Sequence, residues 1–199
     1  MISKRGCFAA LHHFGYVFVF GGLNYADKVL RKTEKYCIAT GTWKAIAPMV
    51  EQRKNSSACA LTSDSIYVFG GSSSAVGAVD SIESYSLATD TWTLLRVRLP
   101  NPVSFMLSFK LSDTEIVLLG GSVREHSRRS ESFKTSQVLL FNALQPEFTR
   151  LPNMNKDVLS LYPPFYDSGK LYLVDEDAKS ENPVVVQYDL AQALGRQVV

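Results

Sequence analysis

Three times in 199 residues a strongly strand-forming run stops on two consecutive glycines: YVFVFGG at 16–22, SIYVFGG at 65–71 and EIVLLGG at 115–121. The pairs are Gly21 and Gly22, Gly70 and Gly71, and Gly120 and Gly121, so the period is 49 and then 50 residues. Tyr, Val and Phe favour a pleated, half-buried backbone, whereas paired glycines weaken a strand and mark a tight bend or the close approach of another backbone. A chain with such a period folds as stacked copies of one unit, each burying its apolar face against its neighbours.

A second marker runs in phase with the first. TEKYCIATGTW at 33–43 answers IESYSLATDTW at 82–92, with Tyr36 and Tyr85 fourteen residues past the second glycine and Trp43 and Trp92 seven further on. In the third copy VLLFNALQPEF at 138–148 keeps the seven-residue spacing as Phe141 and Phe148. A fourth copy is worn: KLYLVDE at 170–176 puts Asp175 and Glu176 where the glycines should be, Tyr188 stands for the tyrosine, and Gly195 replaces the tryptophan.

Each copy holds four short apolar runs. In the second these are 57–62, 65–69, 82–87 and 91–95, separated by Ser-Asp, Gly-Gly and Ala-Thr-Asp breakers. Four antiparallel strands in about 50 residues make one propeller blade. A strand ending in Gly-Gly, then Glu-x-Tyr (Glu34 and Tyr36; Glu83 and Tyr85), then Trp43 or Trp92, resembles the kelch motif, and Met49 and Arg53 stand at family-like places. The resemblance implies an all-β, kelch-type β-propeller over residues 1–199, with repeats at about 5–49, 50–99, 100–152 and 153–199, the fourth degenerate. Such a chain can close as a small four-bladed ring, form part of a longer propeller, or pair with another chain.

In this reading the signature residues Gly21, Gly22, Tyr36, Trp43, Gly70, Gly71, Tyr85, Trp92, Gly120 and Gly121 serve packing. The aromatics fill the wedge between blades, and Glu34 and Glu83 make structural hydrogen bonds, with no acid chemistry. If strands a to d run antiparallel in order, the b–c and d–a loops share one edge, and loops on a rigid scaffold carry binding. Their formal charges total +5, against +2 for the whole chain. The third b–c loop is six residues longer than the first two and holds Arg124, His126, Arg128, Arg129 and Lys134 beside the RVRLPNP crossover with Arg96 and Arg98. Arginine forks suit carboxylates and phosphates, so Arg53, Arg96, Arg98, Arg124, Arg128 and Arg129 are candidates to bind an acidic or phosphorylated segment of a protein partner.

Catalytic signals are scarce. The chain has no GxSxG elbow, no glycine-rich phosphate loop opening a helix and no HExxH, so neither catalytic residues nor a cofactor are expected. His12 and His13 are neighbours on a predicted strand and point to opposite faces, which leaves no metal site. Cys7, Cys37 and Cys59 are odd in number, lack CxxC spacing, and read as small buried thiols. No stretch approaches the roughly 18 apolar residues of a membrane span, and MISKRGCFAALHH lacks a signal peptide's apolar centre, so a soluble cytoplasmic protein is expected. A net charge of +2 is too small to argue for nucleic acid by itself.

By resemblance, kelch domains recruit substrates in BTB-kelch ubiquitin ligase adaptors or act as scaffolds for cytoskeletal and signalling partners. The repeats occupy all 199 residues, so ligase recruitment would need a longer protein. The rivals to a non-catalytic interaction module are a kelch-propeller enzyme of the oxidase or epimerase type, and a binder of a phosphate-rich or nucleic acid ligand.

Overall fold

In the computed structural model of the chain, residues 1–124, 132–176 and 182–195 are described. They fall into two compact units, Met1–Ser104 and Phe105–Val199. The first unit opens with β1 (Ala9–His13), β2 (Tyr16–Phe20), β3 (Thr33–Cys37) and β4 (Thr42–Ile46), hydrogen-bonded in chain order as one antiparallel sheet. Phe14 and Gly15, at φ 44° and 75°, close the first hairpin with the left-handed pair that matches strand twist. Val17, Tyr36 and Trp43 face one another across the sheet.

The second blade repeats this order in β5 (Ser57–Ala60), β6 (Ser65–Phe69), β9 (Ile82–Ser86) and β10 (Thr91–Leu94). A small hairpin, β7 (Ser72–Ser73) and β8 (Gly77–Ala78), rises from its b–c loop, and β11 (Val103–Ser104) follows. Ile66, Tyr85 and Trp92 are aligned as Val17, Tyr36 and Trp43 are in the first blade. The four strands expected at 57–62, 65–69, 82–87 and 91–95 are all present, the second with the expected bounds and the others trimmed by one or two residues.

The second unit holds β12 (Leu107–Lys110), β13 (Glu115–Leu119), β16 (Val138–Asn142) and β17 (Glu147–Leu151), again in sequential antiparallel order. Its b–c loop carries the hairpin β14 (Ser122–Arg124) and β15 (Ser132–Lys134). The fourth blade differs from the expected pattern. It has three strands, β18 (Phe165–Asp167), β19 (Lys170–Glu176) and β20 (Pro183–Asp189), and then the helix α1 (Leu190–Leu194) where a fourth strand was expected. The run LAQAL is made of good helix formers. Asp189 caps its start by accepting from the Gln192 amide at 2.9 Å, and Gly195, at φ 62°, ends it in the left-handed region.

Each unit has its own core. In the first, Phe18, Phe20, Ile46 and Met49 of the first blade meet Ile66, Val68 and Tyr85 of the second. In the second, Leu107, Val117, Leu119 and Val138 meet Leu171, Leu173, Val186 and Tyr188, with Phe109 stacked on Tyr166 at 5.3 Å. Fully burying one such side chain contributes about 1.5–3 kcal/mol. Only Cys59 of the three cysteines is buried: Cys37 is half-buried, and Cys7 is exposed at φ 55° just before its strand, against the expectation of three buried thiols.

The paired glycines receive the crossover that leads into the next blade. The amides of Gly22, Gly71 and Gly121 donate to the carbonyls of Arg53, Val103 and Val158 at 2.9, 2.8 and 2.9 Å. The partner glycines sit at φ 61°, 55° and 59°, and a Cβ there would lie only 2.1, 2.4 and 2.6 Å from those same carbonyl oxygens. Two requirements coincide at one position, a left-handed backbone and no side chain, and only glycine meets both. Where the pair is lost, β19 runs straight on through Asp175 and Glu176 and pairs with β20 as far as Pro183. The Asp175 carboxylate is buried and accepts from Lys134 Nζ at 3.1 and 3.0 Å.

Candidate interaction face

The antiparallel order within every blade puts the b–c and d–a loops on one edge of each unit, as the direction argument requires. Arg53, expected on that edge as a partner-binding residue, is instead fully buried at 0% exposure. Its guanidinium donates to the carbonyls of Gly70 and Ser81 at 2.9 and 3.0 Å, to Ser81 Oγ at 3.0 Å and to Glu83 Oε1 at 2.7 Å. Glu83, also at 0% exposure, accepts in addition from the amides of Val50 and Glu51 at 2.6 and 3.0 Å. The pair stitches the crossover to the blade it enters, and Arg53 is withdrawn from the partner-binding set. A charge held this way is neutralised and hydrogen-bonded, the condition for burying it at all.

The first blade is built identically. Arg5 donates to the carbonyls of Gly21 and Lys32 at 3.1 and 2.7 Å and pairs with Glu34, which accepts from the amides of Ile2 and Ser3 at 2.8 and 3.0 Å. The structural role expected for both glutamates therefore holds, with arginine partners that the motif reading did not assign. The signal lay in the recurrence of an Arg about thirty residues before each Glu-x-Tyr. At the corresponding places the later copies carry Val103 with Leu139 and Val158 with Val186, both charges having been exchanged for apolar side chains together. Val158 and Val186 share one core cluster. Pro100, aligned with Val50, has no amide to satisfy, which is consistent with a copy that has no carboxylate.

Tyr85 and Trp92 lie in the wedge between the first and second blades, whereas Tyr36 and Trp43 are only half-buried. Trp92 Nε1 donates to the Ala47 carbonyl at 2.8 Å, and its ring meets Phe20 edge-on at 5.6 Å. Asp90 Oδ1 accepts from the Ala47 amide at 2.9 Å and from the Tyr85 hydroxyl at 2.7 Å. Both polar groups of Ala47, at the end of the first blade, are thus held by the second. The Ala47 amide and the Tyr85 hydroxyl keep the Asp90 carboxyl below its usual range, while burial, reinforced by Asp90, pushes the Tyr85 hydroxyl well above that of a free tyrosine.

Of the remaining candidates, Arg96 and Arg98 are exposed, and Arg98 lies 3.4 Å from Asp80. Arg124 contributes its backbone to β14, and Arg128 and Arg129 lie outside the described residues. Lys134 is turned to Asp175. A basic element that the sequence reading counted but did not single out is the first b–c loop. Asn24 Oδ1 accepts from the amides of Ala26 and Lys28 at 3.0 and 2.9 Å, an Asx-type turn that fixes the loop. On it Tyr25 stands 88% exposed, and Lys28, Arg31 and Lys32 of the same loop are exposed too. Asn24 was the available sequence cue.

No metal-holding group of three or more His, Cys, Asp or Glu side chains occurs among the described residues. No helix among them is long and apolar enough to cross a membrane.

The kelch motif model matches residues 4–50 and 53–96, the two copies in which glycine pair, Glu-x-Tyr and Trp all survive. The chain carries kelch repeats. Its blades match a solved structure titled "Structure of YjhT" with a TM-score of 0.75 at 14% sequence identity, over 96% of this chain and 66% of that one. At that identity the likeness is one of fold, and it extends the kelch-type β-propeller class over the later copies too. The kelch chain spans 66% of that structure's length. No curated protein matches it.

Proposed function

We propose that this kelch chain is a non-catalytic protein-interaction module that engages an acidic or phosphorylated protein segment along its b–c and d–a loop edge. Kelch repeats commonly mediate protein–protein interaction. The observation that carries the finer reading is the first b–c loop: an exposed Tyr25 and three exposed cations on a backbone already fixed by Asn24. An aromatic anchor beside basic groups is the composition that dominates binding energy at interfaces, and a pre-ordered loop loses little entropy on engagement. Exposed Arg96 and Arg98 add to it in the same unit.

The test is fluorescence anisotropy with a fluorescein-labelled peptide of alternating glutamate and phosphoserine, and a serine–glutamine peptide as control. The wild-type chain is expected to bind the acidic peptide selectively. Lys28→Glu with Arg31→Glu should lower its affinity at least tenfold while leaving the melting temperature unchanged, because both side chains are exposed. Arg128→Glu with Arg129→Glu tests the third loop in the same way. Equal binding of both peptides, or unchanged affinity in both double variants, refutes the reading. A uniform, steep loss with salt for any polyanion indicates a phosphate-rich or nucleic acid ligand instead.

A further inference from the structure

Within each unit, consecutive blades meet through one repeated pair of sheet sides. In the first unit the trailing side of the first blade, with Phe18 and Phe20 at 1% and 0% exposure, is covered by Ile66, Val68, Tyr85 and Trp92 on the leading side of the second. In the second unit Leu171, Leu173, Val186 and Tyr188 make up the leading side of the fourth blade and pack against the third. The strand registers make these positions equivalent, since Leu171 faces Tyr188 as Ile66 faces Tyr85.

Among the described residues, two sheet sides keep apolar side chains exposed or only half-buried. The trailing side of the fourth blade carries Phe165 opposite Tyr172 and Val174 opposite Val185. Val174 holds the register position of Phe20, Phe69 and Leu119, each at 0% exposure, yet is itself 38% exposed, with Phe165 at 68% and Val185 at 63%. The leading side of the first blade carries the row Val17, Tyr36 and Trp43, with the two rings 5.1 Å apart and all three side chains only half-buried, where Ile66 and Tyr85 of the second blade are buried to 0% and 2%. Contiguous exposed apolar side chains on a sheet face mark an interface.

We propose that the chain self-associates head to tail, the leading side of the first blade of one copy covering the trailing side of the fourth blade of another. The occupant follows from the packing rule. The trailing side of the first blade is covered by a leading side bearing a β-branched residue, a tyrosine and a tryptophan in one cross-strand row, and the first blade of a second copy presents that same row half-exposed. The inference does not depend on the peptide reading above. The contact joins two different surfaces, so it closes into a ring or grows with concentration.

Light scattering over a wide concentration range tests it. The wild-type chain is expected to show a mass of two chains or more. Val185→Lys and Phe165→Glu should each return it to the mass of one chain with an unchanged melting temperature, since both positions are exposed. Cross-linking fixes the geometry. In a Cys7→Ser background, Ala45→Cys on the leading side and Val185→Cys on the trailing side should form a disulfide when the two variants are mixed and oxidised, and much less when either is oxidised alone. A single-chain mass at every concentration overturns the proposal and points to further blades of a longer polypeptide as the cover. Coupling of Val185→Cys only to itself overturns it in favour of back-to-back pairing.

Discussion

The pair Arg53 and Glu83 permits a quantitative test of how the repeats are held, because the later copies contain its apolar replacement. Glu83→Leu, the residue at the aligned position of the third copy, leaves a guanidinium at 0% exposure with only the partly exposed Glu51 carboxylate, at 3.2 Å, as counter-charge and strips the Val50 and Glu51 amides of their acceptor. Breaking a buried pair from one side costs about 3–5 kcal/mol. Arg53→Val leaves the carboxylate buried, still accepting two amides, and frees the carbonyls of Gly70 and Ser81, so its cost falls toward the lower end of that range. Were the two independent, the double variant would lose about 6 kcal/mol or more, enough to unfold a domain whose whole stability is about 5–15 kcal/mol. Removing both charges together leaves only neutral backbone groups short of partners, a penalty of about 1–3 kcal/mol. The expected coupling is therefore about 3 kcal/mol or more, with the double variant more stable than Glu83→Leu alone. Urea unfolding followed by tryptophan fluorescence reads this directly, since both tryptophans, Trp43 and Trp92, lie in the first unit with the pair. Additive costs, or a Glu83→Leu variant within about 1 kcal/mol of wild type, would refute the clamp as a buried ion pair.

Three further outcomes are expected. Trp92→Ala removes the bond to the Ala47 carbonyl and the Phe20 contact, and should cost about 3 kcal/mol by thermal circular dichroism. Gly70→Ala should cost about 3 kcal/mol or more, because a Cβ would meet the Val103 carbonyl at 2.4 Å, whereas Gly15→Ala, with nothing within 4 Å, should cost only the left-handed strain of about 1–2 kcal/mol; equal costs would contradict the close-approach account. The Tyr188 hydroxyl, donating to the Pro152 carbonyl at 2.9 Å, is pushed by burial from 10.0 to about 12. Its contribution is complete below the unfolded value and is lost as pH rises from 10.0 to about 12, so the stability gap between wild type and Tyr188→Phe, measured by urea midpoints, should narrow over that window.

The blade strands were legible because their signals are local: alternation, a breaker every few residues, and glycine where a side chain cannot go. The loop edge was only half legible. Arg53 lies in EQRKNSS, a segment as polar as any solvent-exposed loop, and nothing within it says that the chain must fold back on a carboxylate thirty residues later. Charge counting therefore assigned a buried cation to the surface. What corrects it is comparison of the copies with one another: Arg5 and Glu34 persist together in the first, Arg53 and Glu83 in the second, and both members vanish together in the third and fourth. Paired gain and loss at a fixed separation is the mark of contact, and it is available inside a single repetitive chain.

The fourth copy shows why these signals must be read jointly. Its missing glycines, missing glutamate and missing tryptophan look like independent decay, but each had a task at the junction with another blade. The glycine pair seats the crossover into the next blade, and without it β19 continues unbent to Glu176 with Asp175 committed to Lys134. The tryptophan clasps the preceding blade through the Ala47 carbonyl; in its place Gly195 terminates a helix, and the clasp of the fourth blade passes to Tyr188 on the Pro152 carbonyl. The blade thus keeps a complete leading side, with Leu171, Leu173, Val186 and Tyr188 buried, and has lost the device that receives a covalently following blade. Its trailing side nonetheless remains apolar at Phe165, Val174 and Val185. A sheet side that lacks the glycine seat for a crossover but is still apolar is a surface suited to association through packing.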